Sequence, residues 1–165
     1  MKRITKMKNN SKNIKKTKRI AWNKNISPSE LKKREIGIGR RQILKWIKDE
    51  NLHKIIRRDY ATAQICEENR LFKPAIILYA GVLEALLRYK ICTDKQEEFG
   101  TLIEKALQIK LIGPTQASHM HTVRDFRNYV HIYKELSANI EIINEGIAKL
   151  CRQLCDSILE TLKDK

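Results

Sequence analysis

Beyond residue 40, apolar side chains recur at three- and four-residue steps along most of the chain. Ile43, Ile47, Ile55, Ile56, Tyr60 and Ala63 form one such stripe, with Trp46 and Leu52 close to the same side. The stripe predicts a first helix that ends near Asn69 and is broken near Asn51. Pro74 then stands where a first helical turn tolerates proline, and Ala75 to Leu87 follows it, apolar nearly all round, as expected of the central helix of a bundle. Gly81 weakens that helix by roughly 1 kcal/mol relative to alanine, so its presence predicts close approach of a neighbouring helix. Glu84 is the one charge inside the run. Thr93-Asp94 should end this helix. A third is predicted over Phe99 to Ile109, with Leu102, Ile103, Ala106 and Leu107 inward, before Gly113-Pro114 stops the chain and Thr115 caps a fourth. Ile140, Ile143, Ile147, Leu150, Leu154, Ile158 and Leu162 then mark a fifth from about Ser137 to Leu162. With no strand-like alternation of any length, the fold class expected is all-α, a four- to five-helix bundle.

Before residue 41 the pattern fades. Ser27-Pro28-Ser29-Glu30 resembles a helix start, and Gly37-Ile38-Gly39 reads as a hinge, too sparse to be a phosphate-binding loop. The chain thus divides into an arm, residues 1–40, expected to be mostly disordered, and a helical domain, residues 41–165. Charge follows the same division. Residues 1–48 hold 17 Lys and Arg against Glu30 and Glu35, whereas the remainder holds 17 basic and 17 acidic residues, so the whole excess of +15 lies at the N-terminal end. Such segregated charge attracts polyanions through counterion release, which points to RNA or DNA. A merely solvated tail, with lysine and asparagine enriched by an A/T-rich coding sequence, fits the same composition.

No apolar stretch approaches the roughly 18 residues of a membrane span, and no apolar core follows the basic start as in a secretory signal, so a cytoplasmic protein with no membrane partner is expected. Cys66, Cys92, Cys151 and Cys155 form no C-x-x-C pair and read as reduced, mostly buried small hydrophobes. Their spacing implies neither a zinc site nor any other cofactor.

Candidate chemistry gathers on the fourth helix. At about 100° per residue, Val123, Phe126, Val130 and Tyr133 share a core-facing side, while His121, Arg124, Arg127, Asn128, His131 and Glu135 fall on the opposite one. Imidazole can move a proton to or from a 2′-hydroxyl or a leaving oxygen near neutral pH. Guanidinium can hold a phosphate through two parallel hydrogen bonds and stabilise the charge of five-coordinate phosphorus. The combination suits phosphodiester cleavage, although an ordinary solvated helix face has the same composition. His53 and His119 belong to no such group.

The run Val123-Arg124-Asp125-Phe126-Arg127-Asn128-Tyr129-Val130-His131-Ile132-Tyr133 resembles the signature of the HEPN superfamily, an arginine, a polar residue and, four to six residues on, a histidine. The pattern Val82-Leu83-Glu84-Ala85-Leu86-Leu87 is similar to the end of that family's central helix, and the resemblance covers about Ile43 to Leu162. It implies a helical domain that dimerises so that two motifs share a cleft, in many members a metal-independent ribonuclease of toxin, abortive-infection or RNA-processing systems, in others a non-catalytic binding module. It further implies His131 as the proton-transfer residue and Arg124 as the phosphate clamp, with Arg127 and Asn128 in support and Glu84 orienting them. A cognate antitoxin would be encoded elsewhere. Arg127-Asn128 is more like the usual arginine-asparagine pair, yet only three residues separate it from His131, so which arginine leads is open at this level. A DNA-binding helix-turn-helix would account for the basic arm but not for the balanced charge of the domain.

Overall fold

The computed structural model describes residues 27–29, 32–33, 44–92, 97–129 and 142–165, and from residue 44 on five helices are found among the described residues. Among them no strand occurs. Pro28, Ser29, Lys32 and Lys33 are helical, in keeping with the helix start read at Ser27.

The first helix, α1, spans Glu50–Glu68. Asp49 sets its beginning: its carboxylate accepts hydrogen bonds from the Asn51 and Leu52 amides, both at 2.9 Å, and satisfies donors that have no partner inside the helix. The periodic segment is therefore, from Leu44 on, not one helix interrupted near Asn51; Ile43 lies outside the described residues. Leu44 to Trp46 form a turn, and the helix starts after the Asp49 cap. Ile56, Tyr60, Ala61, Ala63 and Ile65 are buried, but Ile55, expected on the same side, is 46% exposed, because consecutive helical residues diverge by about 100° and Ile56 takes the core.

Arg70, at φ 61°, turns the chain into α2, Phe72–Ile91. This helix contacts all four others, and Ala75, Ile76, Tyr79, Ala80, Val82, Leu83, Leu86 and Leu87 are buried along it, as an apolar run on all sides requires. Cys92 ends it in the left-handed region at φ 53°; Thr93 and Asp94, where the sequence placed the stop, lie outside the described residues. Gly81 departs from expectation. Among the described residues a Cβ there would meet nothing within 4 Å, so no described helix approaches it closely, and the glycine instead opens onto a cavity of about 530 Å³ over Ala85 and Tyr89.

Helix α3, Phe99–Gln108, buries Phe99, Leu102, Ile103 and Ala106. Lys110, at φ 57°, and the Leu111 amide bonded to the Ala106 carbonyl close its C-terminus. The chain enters α4, Pro114–Tyr129, through Gly113. Thr115 lies inside the first turn rather than at the cap. The Gln116 side chain reaches back to accept from the Gly113 amide at 3.1 Å, and its own amide group donates to Ser157 and Thr161 of the last helix. That last helix, α5, covers Glu145–Lys163 and starts where Asn144 accepts from the Ile147 amide, eight residues later than the pattern from Ser137 predicted. Ile143 still packs on the core from outside the helix; Ser137 and Ile140 are outside the described residues.

The core is one apolar cluster to which every helix contributes. Polar ties at its edge are few: Tyr60 donates to Asp156, Tyr79 donates to Glu67 at 2.9 Å, and Arg152 forms an ion pair with Glu67 at 3.1 Å. Burial raises the pKa of both tyrosines, and each bonded carboxylate adds to the effect by accepting from the neutral phenol. All four cysteines are free thiols. Cys151 and Cys155 are buried, with Cys155 donating to the Tyr79 carbonyl, and Cys66 is half-buried, but Cys92 is exposed at its left-handed cap, contrary to the simple expectation for cysteine. No described helix is long and apolar enough to cross a membrane.

Candidate functional site

Helix α4 presents its apolar side, Ala117, Met120 and Val123, to the core. Arg124 and Arg127 stand four and seven residues beyond Met120 on the same side, so they turn in toward the neighbouring helices rather than away from the core as the pattern with Val123 and Phe126 predicted. With Asn128 they line one cleft; Val130 and Tyr133 lie outside the described residues. The cleft has a volume of about 510 Å³ and lies among α2, α3 and α4; Ile77 and Glu84 of α2 and Glu98, Phe99 and Gly100 at the start of α3 complete it. Four of the five residues expected to form a site, Arg124, Arg127, Asn128 and Glu84, therefore line a single cavity. His131 lies outside the described residues, as does Glu135.

Glu84 is the hub. One carboxylate oxygen accepts from Arg127 Nη1 and the other from Arg88 Nη2 at 3.0 Å, so two guanidinium groups share one anion. Arg88 also donates to the Glu97 carbonyl at 2.7 Å, and Glu97 in turn holds Lys105 at 2.5 Å, which ties α2 to the approach and body of α3. The Glu84 side chain is only 21% exposed, so this pairing is screened far less than one in open solvent.

Arg124 is held differently. Its Nε and Nη2 donate to a single oxygen of the adjacent Asp125, at 3.1 and 2.7 Å, and that carboxylate is 54% exposed. Pairs of this kind are typically weak, about 0–1 kcal/mol, since water competes for both partners. A ligand phosphate can thus displace Asp125 from Arg124 more readily than Glu84 from Arg127. The first turn of α3 adds the positive end of its dipole to the same wall, and its cap residue Glu98 makes no side-chain hydrogen bond to the helix amides.

No protein-family model, curated protein or solved structure matches this chain. Carboxylates balance the site's cations at rest, with Glu84, Glu98 and Asp125 beside Arg88, Arg124 and Arg127, so an incoming anion would engage by exchanging a weak internal partner rather than by filling an uncompensated positive hole. His121, on the same helix face one turn before Arg124, turns to Glu104 of α3, with Nε2 2.6 Å from the carboxylate, and does not line the cleft. His119 is exposed, and His53 sits on α1, where burial and then Arg57 lower its pKa.

Sequence reading missed Arg88, Glu98, Phe99 and Gly100. Arg88 carried a legible signal, since it stands four residues after Glu84 on one helix, the spacing of an ion pair. Glu98, Phe99 and Gly100 carried none, because only the packing of α3 against α4 brings them to the arginines.

Proposed function

We propose that the chain is an RNA-binding, metal-independent endoribonuclease of toxin or abortive-infection type, built like a HEPN domain and acting as a cytoplasmic dimer. The observation that carries this reading is the convergence of Arg124, Arg127, Asn128 and Glu84 on one cleft, the residues that the motif on α4 and its partner on α2 single out. Arg124 is the leading cation. Its partner Asp125 is exposed and exchangeable, whereas Arg127 is committed to the half-buried Glu84 and keeps the wall of the site in shape.

In this mechanism Arg124 binds the scissile phosphate through two of its N–H groups, and Asn128 donates to a second oxygen. His131 follows Arg124 by seven residues and Arg127 by four, spacings that share a face on a helix, and serves proton transfer. The 2′-oxygen loses its proton and forms a bond to phosphorus, the bond to the 5′-oxygen breaks, and that oxygen takes up a proton. The products are a 2′,3′-cyclic phosphate and a 5′-hydroxyl. The arginine charge is most valuable in the five-coordinate state, where the phosphorus oxygens carry the most negative charge.

One observation favours a second reading, a non-catalytic interaction module or a nucleotide- or RNA-binding surface: at rest both arginines are already bonded to carboxylates, as they would be in a structural ion-pair network. Incubating the protein and its His131→Ala variant with an end-labelled mixed RNA pool in EDTA separates the two. Cleavage by the unaltered protein alone, with cyclic phosphate ends, is the expected result. RNA retention by both proteins with no cleavage by either would replace the ribonuclease by the binding module.

A further inference from the structure

A second question is how Arg124 is aimed. Among the described glycines, Gly100 is the one whose missing side chain is occupied by another residue's functional group. A Cβ at residue 100 would lie 2.8 Å from Arg124 Nη1, 3.7 Å from Cδ and 3.9 Å from Cζ, closer at Nη1 than carbon and nitrogen approach without a bond. At Gly81 and Gly113 a Cβ would meet nothing within 4 Å, and at Gly146 only the cap oxygen of Asn144, at 3.2 Å. Backbone conformation gives no reason for glycine here, since no described glycine has a positive φ. Residue 100 is the second residue of α3, where alanine would favour the helix. A residue that weakens its own helix, needs no special φ and leaves room for one guanidinium has its explanation in that guanidinium.

We propose that Gly100 is a positioning residue for Arg124: its bare Cα forms a seat on the first turn of α3 across which the guanidinium lies. Asp125 holds the Nε and Nη2 edge from one side, and the surface of Gly100 stands against Nη1 from the other. The two constraints fix the plane of the group at rest, and the seat on Gly100 keeps that plane when a phosphate takes the place of Asp125 on the Nε and Nη2 edge. A methyl group at residue 100 would lift the guanidinium off this seat. Because Nη1 is the far end of a flexible side chain, the helices need not move, and the change is confined to the direction in which Arg124 donates. The seat is a geometric claim, whereas its consequence for cleavage rests on Arg124 binding the scissile phosphate, as proposed above.

The test compares the full chain with Gly100→Ala, Arg124→Ala and the double variant in three measurements: melting temperature, kcat/KM for RNA cleavage, and the Arg124 Nε–H cross-peak in nitrogen–proton NMR, assigned by its absence in Arg124→Ala. Gly100→Ala is expected to melt no lower than the unaltered protein, to shift the Arg124 cross-peak, and to lower kcat/KM by roughly ten- to a hundredfold. The double variant should be no slower than Arg124→Ala alone, because Gly100 acts only through that side chain. An unmoved cross-peak, a markedly lower melting temperature or a further loss in the double variant would each overturn the proposal. If the unaltered protein cleaves no RNA, the ribonuclease reading fails by itself, and the cross-peak with the melting temperature still decides whether Gly100 seats Arg124.

Discussion

Glu84 shows how much one side chain can organise in a small helical protein. It is the only charged residue in an otherwise apolar stretch of the central helix, and its two oxygens hold Arg88 and Arg127 from two helices. Replacing it by alanine leaves two guanidinium groups without their shared carboxylate at a half-buried position, and we expect a loss of about 1–3 kcal/mol in stability. Urea unfolding followed by circular dichroism measures this directly. In a double-mutant cycle with Arg127→Ala, the pair should couple by about 0.5–2 kcal/mol, whereas Arg124 with Asp125 should couple by less than about 1 kcal/mol. Equal couplings would remove the physical basis for treating Arg124 as the exchangeable cation. Arg88, four residues beyond Glu84, could have been read from the sequence as its partner. Arg127 could not, since 43 residues separate it from Glu84.

At the level of elements, the ends of helices are the places where pattern reading and structure part company. Hydrophobic spacing continues across a helix boundary because residues outside a helix also pack on the core, as Leu44, Ile47 and Ile143 do. The boundary is set instead by whichever polar side chain satisfies the first free amides, Asp49 for α1 and Asn144 for α5. At α4 the choice falls on Gly113 with Gln116 rather than Thr115, because Gln116 also bonds across to Ser157 and Thr161. Gln116→Ala should accordingly cost about 1–2 kcal/mol in thermal or urea unfolding, and Thr115→Ala only a few tenths. Gly81 gives a prediction of opposite sign. With nothing within 4 Å of its Cβ position, alanine there should stabilise the isolated protein by about 0.5–1 kcal/mol through helix propensity. The same denaturation curves would show it.

For the whole molecule, pH and salt are the informative variables. Burial pushes the Cys151 thiol up to about 12 and holds Cys155 well above the usual thiol range, and Tyr60 and Tyr79 are raised above the usual phenol range. Each group keeps its proton longer in the folded protein than in the unfolded chain. Their contribution to stability is therefore complete below the unfolded values, near 9 for the thiols and 10 for the phenols, and is lost as pH rises through the folded ones. Urea midpoints should hold steady to about pH 8.5 and then fall with increasing slope. At about pH 11, above the unfolded values and below the folded ones, Cys151→Ala and Tyr60→Phe should each reduce the proton release on unfolding by up to one. For RNA affinity, neutralising Lys12, Lys15, Lys16 and Lys18 to glutamine should reduce the slope of log K against log salt by up to roughly 0.7 for each lysine that meets a phosphate. An unchanged slope would mark the arm as a solvated tail.

The all-helical class, the central place of α2, the segregation of charge and the grouping of arginines on one face of α4 were all determined by the sequence alone. Each depends on local periodicity or composition, and these act over one or two helical turns. Packing alone decided the rest. Ile55 and Ile56 are equally apolar, and only the direction of approach of α2 and α5 buries one and exposes the other. Gly81 and Gly100 look alike in sequence, yet one opens onto empty space and the other lies beneath a guanidinium, because a glycine's role depends on what the missing side chain would have met. The cleft likewise draws Glu84, Gly100 and Arg124 from three helices, and no spacing along the chain records how those helices cross.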